Sequence, residues 1–306
     1  MTLSLFLVQI LNGLQLGVLL FMLSAGLTLV FGIMNFVNLA HGSQYMMGAY
    51  FAAAAYSYSG SFLVAALVCI VGSAALGVAI ERIVAARLYA RDHLDQVLAT
   101  FGLILFFNEL ARTVWGASPQ YMNVPDALSG NIDLLGISYS SYRFAILVVG
   151  LLVALGCYVL INKTRIGMLI RAGSSNPVMV GALGVNIKLL NAAIFALGAA
   201  LAGVAGLMSA PILSVQPGMG EPILIMAMIV IVIGGIGSVR GAFYSALIVG
   251  VIDTAGRAFL PMLFREFLER NTAQAAGPAV ASMLIFIFMA AVLALKPEGL
   301  FPVRNQ

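Results

Sequence analysis

The stretch SLFLVQILNGLQLGVLLFMLSAGLTLVF, residues 4–31, carries no charged side chain. It is long enough to cross a bilayer, since a helix needs about 20 apolar residues to span the hydrocarbon layer. Outward from it the pattern persists: the first charged residue is Glu81, so residues 1–80 hold no Asp, Glu, Lys or Arg. No water-facing surface can be built from such a segment. Over all 306 residues, 62% are hydrophobic and 8% charged, with a mean hydropathy of +1.07, whereas soluble domains carry about a quarter charged residues. A cytosolic enzyme and a nucleic-acid binder are excluded. Residues 1–31 lack the basic n-region and A-x-A site of a secretory signal peptide, so the first run is expected to remain as a membrane helix. The fold expected is an all-α polytopic integral membrane protein with about eight or nine transmembrane helices, some short or broken.

Apolar stretches fall at 4–31, 36–58, 62–80, 97–115, 143–162, 191–213, 222–238, 241–260 and 280–296. With a net charge of only +4, the informative quantity is where the basic residues lie. Arg82, Arg87 and Arg91 follow Glu81, and segment 163–190 carries Lys163, Arg165, Arg171 and Lys188 with no acidic residue. The positive-inside rule puts both segments in the cytoplasm. Between them, 116–142 holds Asp126 and Asp133 and no basic residue, as fits the opposite face. Continuing the alternation places 214–221 and 261–279 outside, and the Gly237–Gly241 link and the tail with Lys296 and Arg304 inside. Charge leaves open whether three, two or two-and-a-half crossings precede Glu81; an external N-terminus is favoured. Nothing resembles a linker or a repeat, so the chain reads as one membrane domain, 1–306. Cys69 and Cys157 lie in apolar runs and read as small core residues.

The most unusual stretch is Gly32-Ile33-Met34-Asn35-Phe36-Val37-Asn38-Leu39-Ala40-His41-Gly42-Ser43-Gln44-Tyr45. On a helix Asn35, Asn38, His41 and Tyr45 would share an arc of about 120°. Polar groups at membrane depth need partners or a water-lined cavity, so this is either a discontinuous helix on a translocation pathway or a polar helix–helix contact or cytoplasmic elbow holding the bundle together. Gln9, Asn12 and Gln15 recur every third residue and could line a path or join helices. Glu109 with Arg112, and Asp253 with Arg257, are spaced to pair on a helix. Glu221, between Gly220 and Pro222, fits a helix start; substrate gating is its other reading.

Gly198, Ala202 and Gly206 share one helix face, the spacing that lets backbones approach closely in lipid. Gly234, Gly235 and Gly237 mark a tight cytoplasmic hairpin before Gly241. The G-x-x-x-x-G-K-[ST] phosphate loop is absent from the chain, so ATP hydrolysis by that route is not expected here. No catalytic residues and no metal site are expected either. His41 and His93 are the only histidines, and no Ser/His/Asp or H-E-x-x-H arrangement presents itself. In the 163–190 loop, Pro177 can open a short helix with Asn176 or Ser175 as its cap, and Gly184 can close it. A solvated loop would explain the charges but not a capped helix of small and apolar residues, which is a shape that docks into a partner.

At these residues the chain resembles the membrane permeases of branched-chain amino acid ABC importers, and in particular the first of the two permeases such importers pair. The likeness is carried by Gly26-Leu27-Thr28-Leu29-Val30-Phe31-Gly32, Asn35 to Gly42, Tyr45 to Tyr50, Glu81-Arg82, Arg165-Ile166-Gly167 to Arg171-Ala172, Asn176, Leu183-Gly184-Val185-Asn186, Gly234 to Ser238 with Gly241-Ala242, and Lys296-Pro297-Glu298-Gly299-Leu300-Phe301. It departs at Pro177, and at Val180 where the family often has alanine. The resemblance implies a type II-like ABC importer permease in the bacterial inner (plasma) membrane, surrounded by membrane lipid. It implies a second homologous permease subunit, two cytoplasmic ATPase subunits that hold ATP and magnesium, and a periplasmic substrate-binding protein. No cofactor is implied for this chain. Loop 163–190 would hold the coupling helix, with Arg165, Arg171, Asn176, Pro177, Gly184 and Asn186 facing the ATPase. The expected activity is uptake of branched-chain or related amino acids, or of urea and small amides, by alternating access. Asn35, Asn38, His41, Tyr45, Gln9 and Asn12 are the pathway candidates. The alternative is a stand-alone ion-coupled carrier or channel, which would need an essential carboxylate among Glu109, Glu221 and Asp253.

Overall fold

The computed structural model describes residues 3–134 and 136–301; Arg304, expected in the cytoplasmic tail, lies outside the described residues. Eleven α-helices are present among them: α1 (Leu3–Met34), α2 (His41–Ser59), α3 (Phe62–Ile83), α4 (His93–Trp115), α5 (Ser141–Lys163), α6 (Arg165–Ser175), α7 (Pro177–Ala182), α8 (Ile187–Ser209), α9 (Gly220–Gly234), α10 (Val239–Phe264) and α11 (Arg270–Leu295). Seven are long and apolar enough to cross a membrane: α1, α3, α4, α5, α8, α10 and α11. In lipid every backbone N–H and C=O must be satisfied within the protein, which is why apolar runs of this length fold as helices.

Three helices precede the basic turn at Arg87 and Arg91. With that turn cytoplasmic, α1 starts outside, and the order of helices places α6 and α7 in the cytoplasm and the Gly116–Ser140 segment outside. That outer segment holds a feature absent from the expected all-α chain, a small antiparallel ribbon pairing β1 (Asn131–Leu134) with β2 (Ile137–Ser140). Beside it, Gln120 and Val215 exchange two backbone hydrogen bonds of 2.8 Å each, joining the two outer connections.

Several expected boundaries are corrected. Residues 35–40 are irregular and α2 begins only at His41, so Asn35 and Asn38 do not share a helix face with His41 and Tyr45. Asn35 takes a positive φ of 48°, a conformation that ends a right-handed helix. The outer loop expected at 261–279 is mostly helical, because α10 runs past Pro261 and α11 starts at Arg270, ahead of Pro278. The two prolines hid this extension, since proline normally marks a helix boundary. In space Pro261 is accommodated by the missing side chain of Gly277, where a Cβ would lie 2.7 Å from its Cδ.

Helices α1 and α8 form the centre. Val18, Leu20, Phe21, Met22 and Leu23 of α1 and Ile194, Phe195 and Leu207 of α8 are buried, while Leu67, Leu98, Leu152 and Ile287 on the surrounding helices are exposed, as lipid- or partner-facing positions are. Helices close on each other through small residues, because lipid removes the hydrophobic drive and leaves packing to hold them together. A Cβ at Gly13 would lie 2.7 Å from Val251 Cα on α10, and one at Gly26 would lie 2.6 Å from the Gly198 carbonyl oxygen on α8. Gly203 meets Gly48, Gly206 meets the Tyr45 carbonyl, and Ala202, one turn before Gly206, is fully buried. Helix α9, at 15 residues, is only about 22 Å long. Starting from its cytoplasmic end it stops short of the outer face, and its first residue, Gly220, meets Gly42 at the head of α2, where a Cβ on Gly42 would lie 2.5 Å from the Gly220 oxygen.

Substituting Gly26→Val drives a branched side chain into α8 backbone, an overpacking that costs about 1–3 kcal/mol. The expected result is a lower thermal midpoint in detergent and loss of monodisperse protein by size-exclusion chromatography. Gly102→Ala, on α4 with nothing within 4 Å of a Cβ, should leave both unchanged or slightly improved.

Candidate functional site

The chemistry-bearing residues gather in three places along the bundle: the broken segment before α2, the head of α9, and the cytoplasmic surface formed by α6, α7 and the two ends that pack beside them.

The broken segment is held by residues far away in sequence. Gln96 on α4 is the centre of this knot: its Oε1 accepts from the Val37 N–H at 3.1 Å, and its Nε2 donates to the Leu88 and Arg91 carbonyls at 3.3 Å each. Phe36 is buried between Tyr89 and Phe195. The Tyr89 hydroxyl donates to Glu81 at 3.1 Å, and Arg82 lies 3.5 Å from the other carboxylate oxygen. Burial first, and the Glu81 charge second, push the Tyr89 phenol up, so it remains a protonated donor. Glu81 is 2% exposed, a depth that a carboxylate tolerates when paired and hydrogen-bonded.

Beyond this knot lie the expected pathway residues. Asn38, His41 and Tyr45 are all buried, and Asn35 is exposed on the cytoplasmic side. His41 Nε2 sits 3.0 Å from the Leu23 carbonyl; a carbonyl only accepts, so the ring proton is on Nε2 and Nδ1 is an acceptor. Nδ1 of His41, both amide atoms of Asn38 and of Gln44, and the Thr28 hydroxyl are buried without a hydrogen-bond partner among the described residues. Such groups are costly to leave unmet. Gln9 and Asn12 lie at the outer half of α1, where Asn12 donates to Gln9 at 3.3 Å and accepts from Arg143 at 2.8 Å. They do not meet the His41 group, and Gln15, one turn on, is buried.

At the head of α9, Glu221 accepts from Asn108 Nδ2 at 2.5 Å, and Asn108 Oδ1 accepts from the Gly218 N–H at 3.0 Å. Asn108 therefore fixes the turn that starts α9. Glu109 and Arg112 lie 3.6 Å apart. Arg257 Nε donates to both Asp253 oxygens at 2.8 and 2.9 Å, and its Nη2 donates to Ser282 on α11 at 3.1 Å.

The cytoplasmic surface is built from two successive capped helices. Thr164 caps α6, its hydroxyl accepting from the Gly167 N–H at 3.1 Å. A side chain at Gly167 would meet the Leu160 and Ile161 carbonyls, so this glycine is what lets α6 fold back against the end of α5, and Arg171 donates to the Ile161 carbonyl as well. Asn176 caps α7 through the Met179 N–H at 2.9 Å, with Pro177 in the first turn. Gly184, at φ 88°, ends it, and the Asn186 side chain then caps α8 through the Leu189 N–H at 3.1 Å. The short capped helix read from the sequence is thus present, preceded by a second helix, α6, that was not anticipated. Ser174 on α6 donates to the Gly32 carbonyl at 2.8 Å, tying α6 to the last turns of α1. Val178 and Leu183 are 81% and 76% exposed.

Beside it, Gly235 and Gly237 take positive φ in the α9–α10 link, and Gly234 packs on Gly241. The segment Lys296–Phe301 folds against this link: Leu300 N–H donates to the Ile233 carbonyl at 2.8 Å and Phe301 N–H to the Gly234 carbonyl at 3.0 Å. These are carbonyls that the end of a helix leaves without partners. Gln96, Asn108, Arg143 and this terminal strap were missed by sequence reasoning. Each acts on an element distant in sequence, and no local pattern signals that.

The chain matches the family described as "Branched-chain amino acid transport system / permease component" over residues 9–293. It belongs to that family. It is 30% identical over 266 residues, 82% of this chain and 86% of the relative, to the high-affinity branched-chain amino acid transport system permease protein BraD of Pseudomonas aeruginosa. To LivH of Salmonella typhimurium, a protein of the same description, it is 30% identical over 278 residues, covering 86% and 90% of the two chains. A probable branched-chain amino acid transport permease protein LivH of Methanocaldococcus jannaschii is 26% identical over 291 residues, 92% of this chain and 88% of that one. No solved structure matches. Family and helices together make the chain a multi-pass inner-membrane transport permease.

Replacing Gln96 by Leu removes the acceptor of Val37 and the donors to Leu88 and Arg91 while keeping the volume, leaving buried groups unmet at about 1–3 kcal/mol. Hydrogen–deuterium exchange should then quicken at residues 35–40 and 88–91 and stay unchanged in α8.

Proposed function

We propose that this chain is the membrane permease of an ATP-driven ABC importer that moves branched-chain or related amino acids, or small amides and urea, into the cytoplasm by alternating access. The observation that carries this reading is the pair of capped cytoplasmic helices α6 and α7 in a member of this permease family. Helix α7 and its C-cap present the exposed apolar side chains Val178, Met179 and Leu183 to water, where single exposed residues of this size are commonplace but a cluster within six residues suits a docking groove.

Two ATPase subunits, which hold ATP and magnesium, seat these helices; a second permease completes the core and a periplasmic binding protein delivers substrate. Displacement of α7 is passed to α6, through Ser174 to Gly32, and from there to the Asn35–Ala40 segment and the head of α2. As these elements tilt, Asn38, His41 and Gln44 gain access to a solute, and their unmet donors and acceptors suit the amide, ammonium and carboxylate groups of small neutral molecules. Arg165, Arg171, Asn176, Pro177, Gly184 and Asn186 shape the coupling surface. The carboxylates that a stand-alone ion-coupled carrier would need are already engaged: Glu109 by Arg112, Asp253 by Arg257 and Glu221 by Asn108.

Proteoliposomes holding this chain with its partner permease, the ATPases and the binding protein are expected to accumulate labelled leucine only with ATP. Arg171→Glu combined with Asn176→Ala should abolish uptake and release the ATPases from the complex. Glu109→Gln and Asp253→Asn should retain most uptake. Uptake by this chain alone, driven by an ion gradient and lost in the carboxylate variants, would overturn the proposal.

A further inference from the structure

At the cytoplasmic end of the bundle a cleft of about 1070 Å³ opens between α5 and α10, floored by α1 and closed below by α6 and the α9–α10 link. Its upper walls are apolar, with Phe21, Leu29 and Phe243 among them, and its lower rim carries Arg171 and Arg240. No Asp or Glu lines it. Arg240 lies over the Tyr158 ring at 5.5 Å, a cation–π contact that holds the guanidinium at the mouth without consuming its N–H donors. Arg240 has no hydrogen bond or ion pair among the described residues, and Arg171 spends only one of its donors, on Ile161.

We propose that this cleft is a binding site for an anionic phospholipid of the cytoplasmic leaflet. The head-group phosphate sits between Arg171 and Arg240, and an acyl chain lies along Phe243 and Tyr244, over the buried Phe21 and Leu29. Three observations select this occupant. Two guanidiniums with no neighbouring carboxylate suit a net anion, whereas a zwitterionic amino acid would leave its ammonium unpaired. The polar rim stands beside Gly32 in the last turn of α1 and the apolar wall runs from it toward the middle of that helix, matching the head-to-tail order of a lipid. The basic pair also lies on the cytoplasmic side, where anionic lipids attract arginine between membrane helices. Because α6 forms the floor of the rim and is tied to Gly32 through Ser174, an occupant here braces the same helix that carries Arg171. The site stands on the cleft alone and does not depend on what the chain transports.

The test is lipid retention by the intact purified permease complex, read by native mass spectrometry after exchange into defined mixtures of phosphatidylglycerol and phosphatidylcholine. Phosphatidylglycerol should be retained in preference to phosphatidylcholine, and Arg240→Gln should weaken retention roughly five-fold, the worth of one basic side chain at an anionic surface. Arg240→Lys should restore part of it, and Phe243→Ser should weaken it with the arginines intact. All variants must elute as the assembled complex; the Lys variant shows that loss in the Gln variant reflects charge and not misfolding. Equal retention of the two lipids, or retention unchanged by Arg240→Gln, overturns the proposal. Displacement of phosphatidylglycerol by millimolar inorganic phosphate alone, with Phe243→Ser silent, would also overturn it by assigning the arginines to a free anion. Protection of the cleft by the second permease, seen as no lipid bound in the assembled pair, overturns it in favour of a subunit interface.

Discussion

The contact on which the rest of the bundle depends is the meeting of Gly42 and Gly220. Two helices begin inside the protein and not at a membrane surface, and their first turns face each other across two glycines. A helix start exposes N–H groups without partners and carries about half a positive charge. Placing two such ends together in a low-dielectric interior is unfavourable unless donors are met and charge is offset. The chain meets this with a carboxylate, Glu221 in the first turn of α9, and with Asn108, which holds that carboxylate and the preceding turn at once. The side-chain-free approach of the glycines keeps the gap closed. Everything around it follows: α1 supplies the Leu23 carbonyl to His41, and α8 packs on α2 through Gly203 and Gly206.

How much of this could be read from residues depends on whether the information was local. The nine apolar runs, the placing of both basic segments at one end of the bundle and the capped helix at Pro177 were legible, because length, charge and capping chemistry act within a few residues. The break before α2 was signalled by Asn35, Asn38 and His41 in an apolar run, yet its shape was not, since the same residues fit an unbroken helical arc. The positive φ at Asn35 decides between the two, and the irregular segment after it is held by Gln96, which accepts from Val37 across from another helix. Likewise the Lys296-Pro297-Glu298-Gly299-Leu300-Phe301 segment was recognisable as a motif without showing its purpose, which is to supply N–H groups to Ile233 and Gly234. The outer ends of α10 and α11 were lost behind Pro261 and Pro278, whose usual meaning as helix boundaries is reversed by the space at Gly277. The residues proposed for a solute path were chosen as one face; the structure separates Gln9 and Asn12 from Asn38 and His41 by the length of half a helix.

The cytoplasmic side is assembled differently from the membrane core. In the core, contacts are backbone against backbone through small residues. Below it, side chains and caps take over: Thr164, Asn176, Ser238 and Asn186 each accept from a helix N–H. Caps fix where a helix starts without anchoring its sides, so α6 and α7 can shift as bodies while keeping their internal structure. The tie from Ser174 to Gly32 on α1, beside that from Arg171 to Ile161 on α5, is then where such a shift enters the membrane domain.

The strap formed by Leu300 and Phe301 has a consequence for biogenesis. The carbonyls it serves lie at the end of α9, yet two further membrane helices, α10 and α11, must emerge from the ribosome before it does. Until then the α9 terminus has only its own link to rely on. Closure of this end of α9 is thus a late event of synthesis, because its last two carbonyls wait for residues made after α10 and α11.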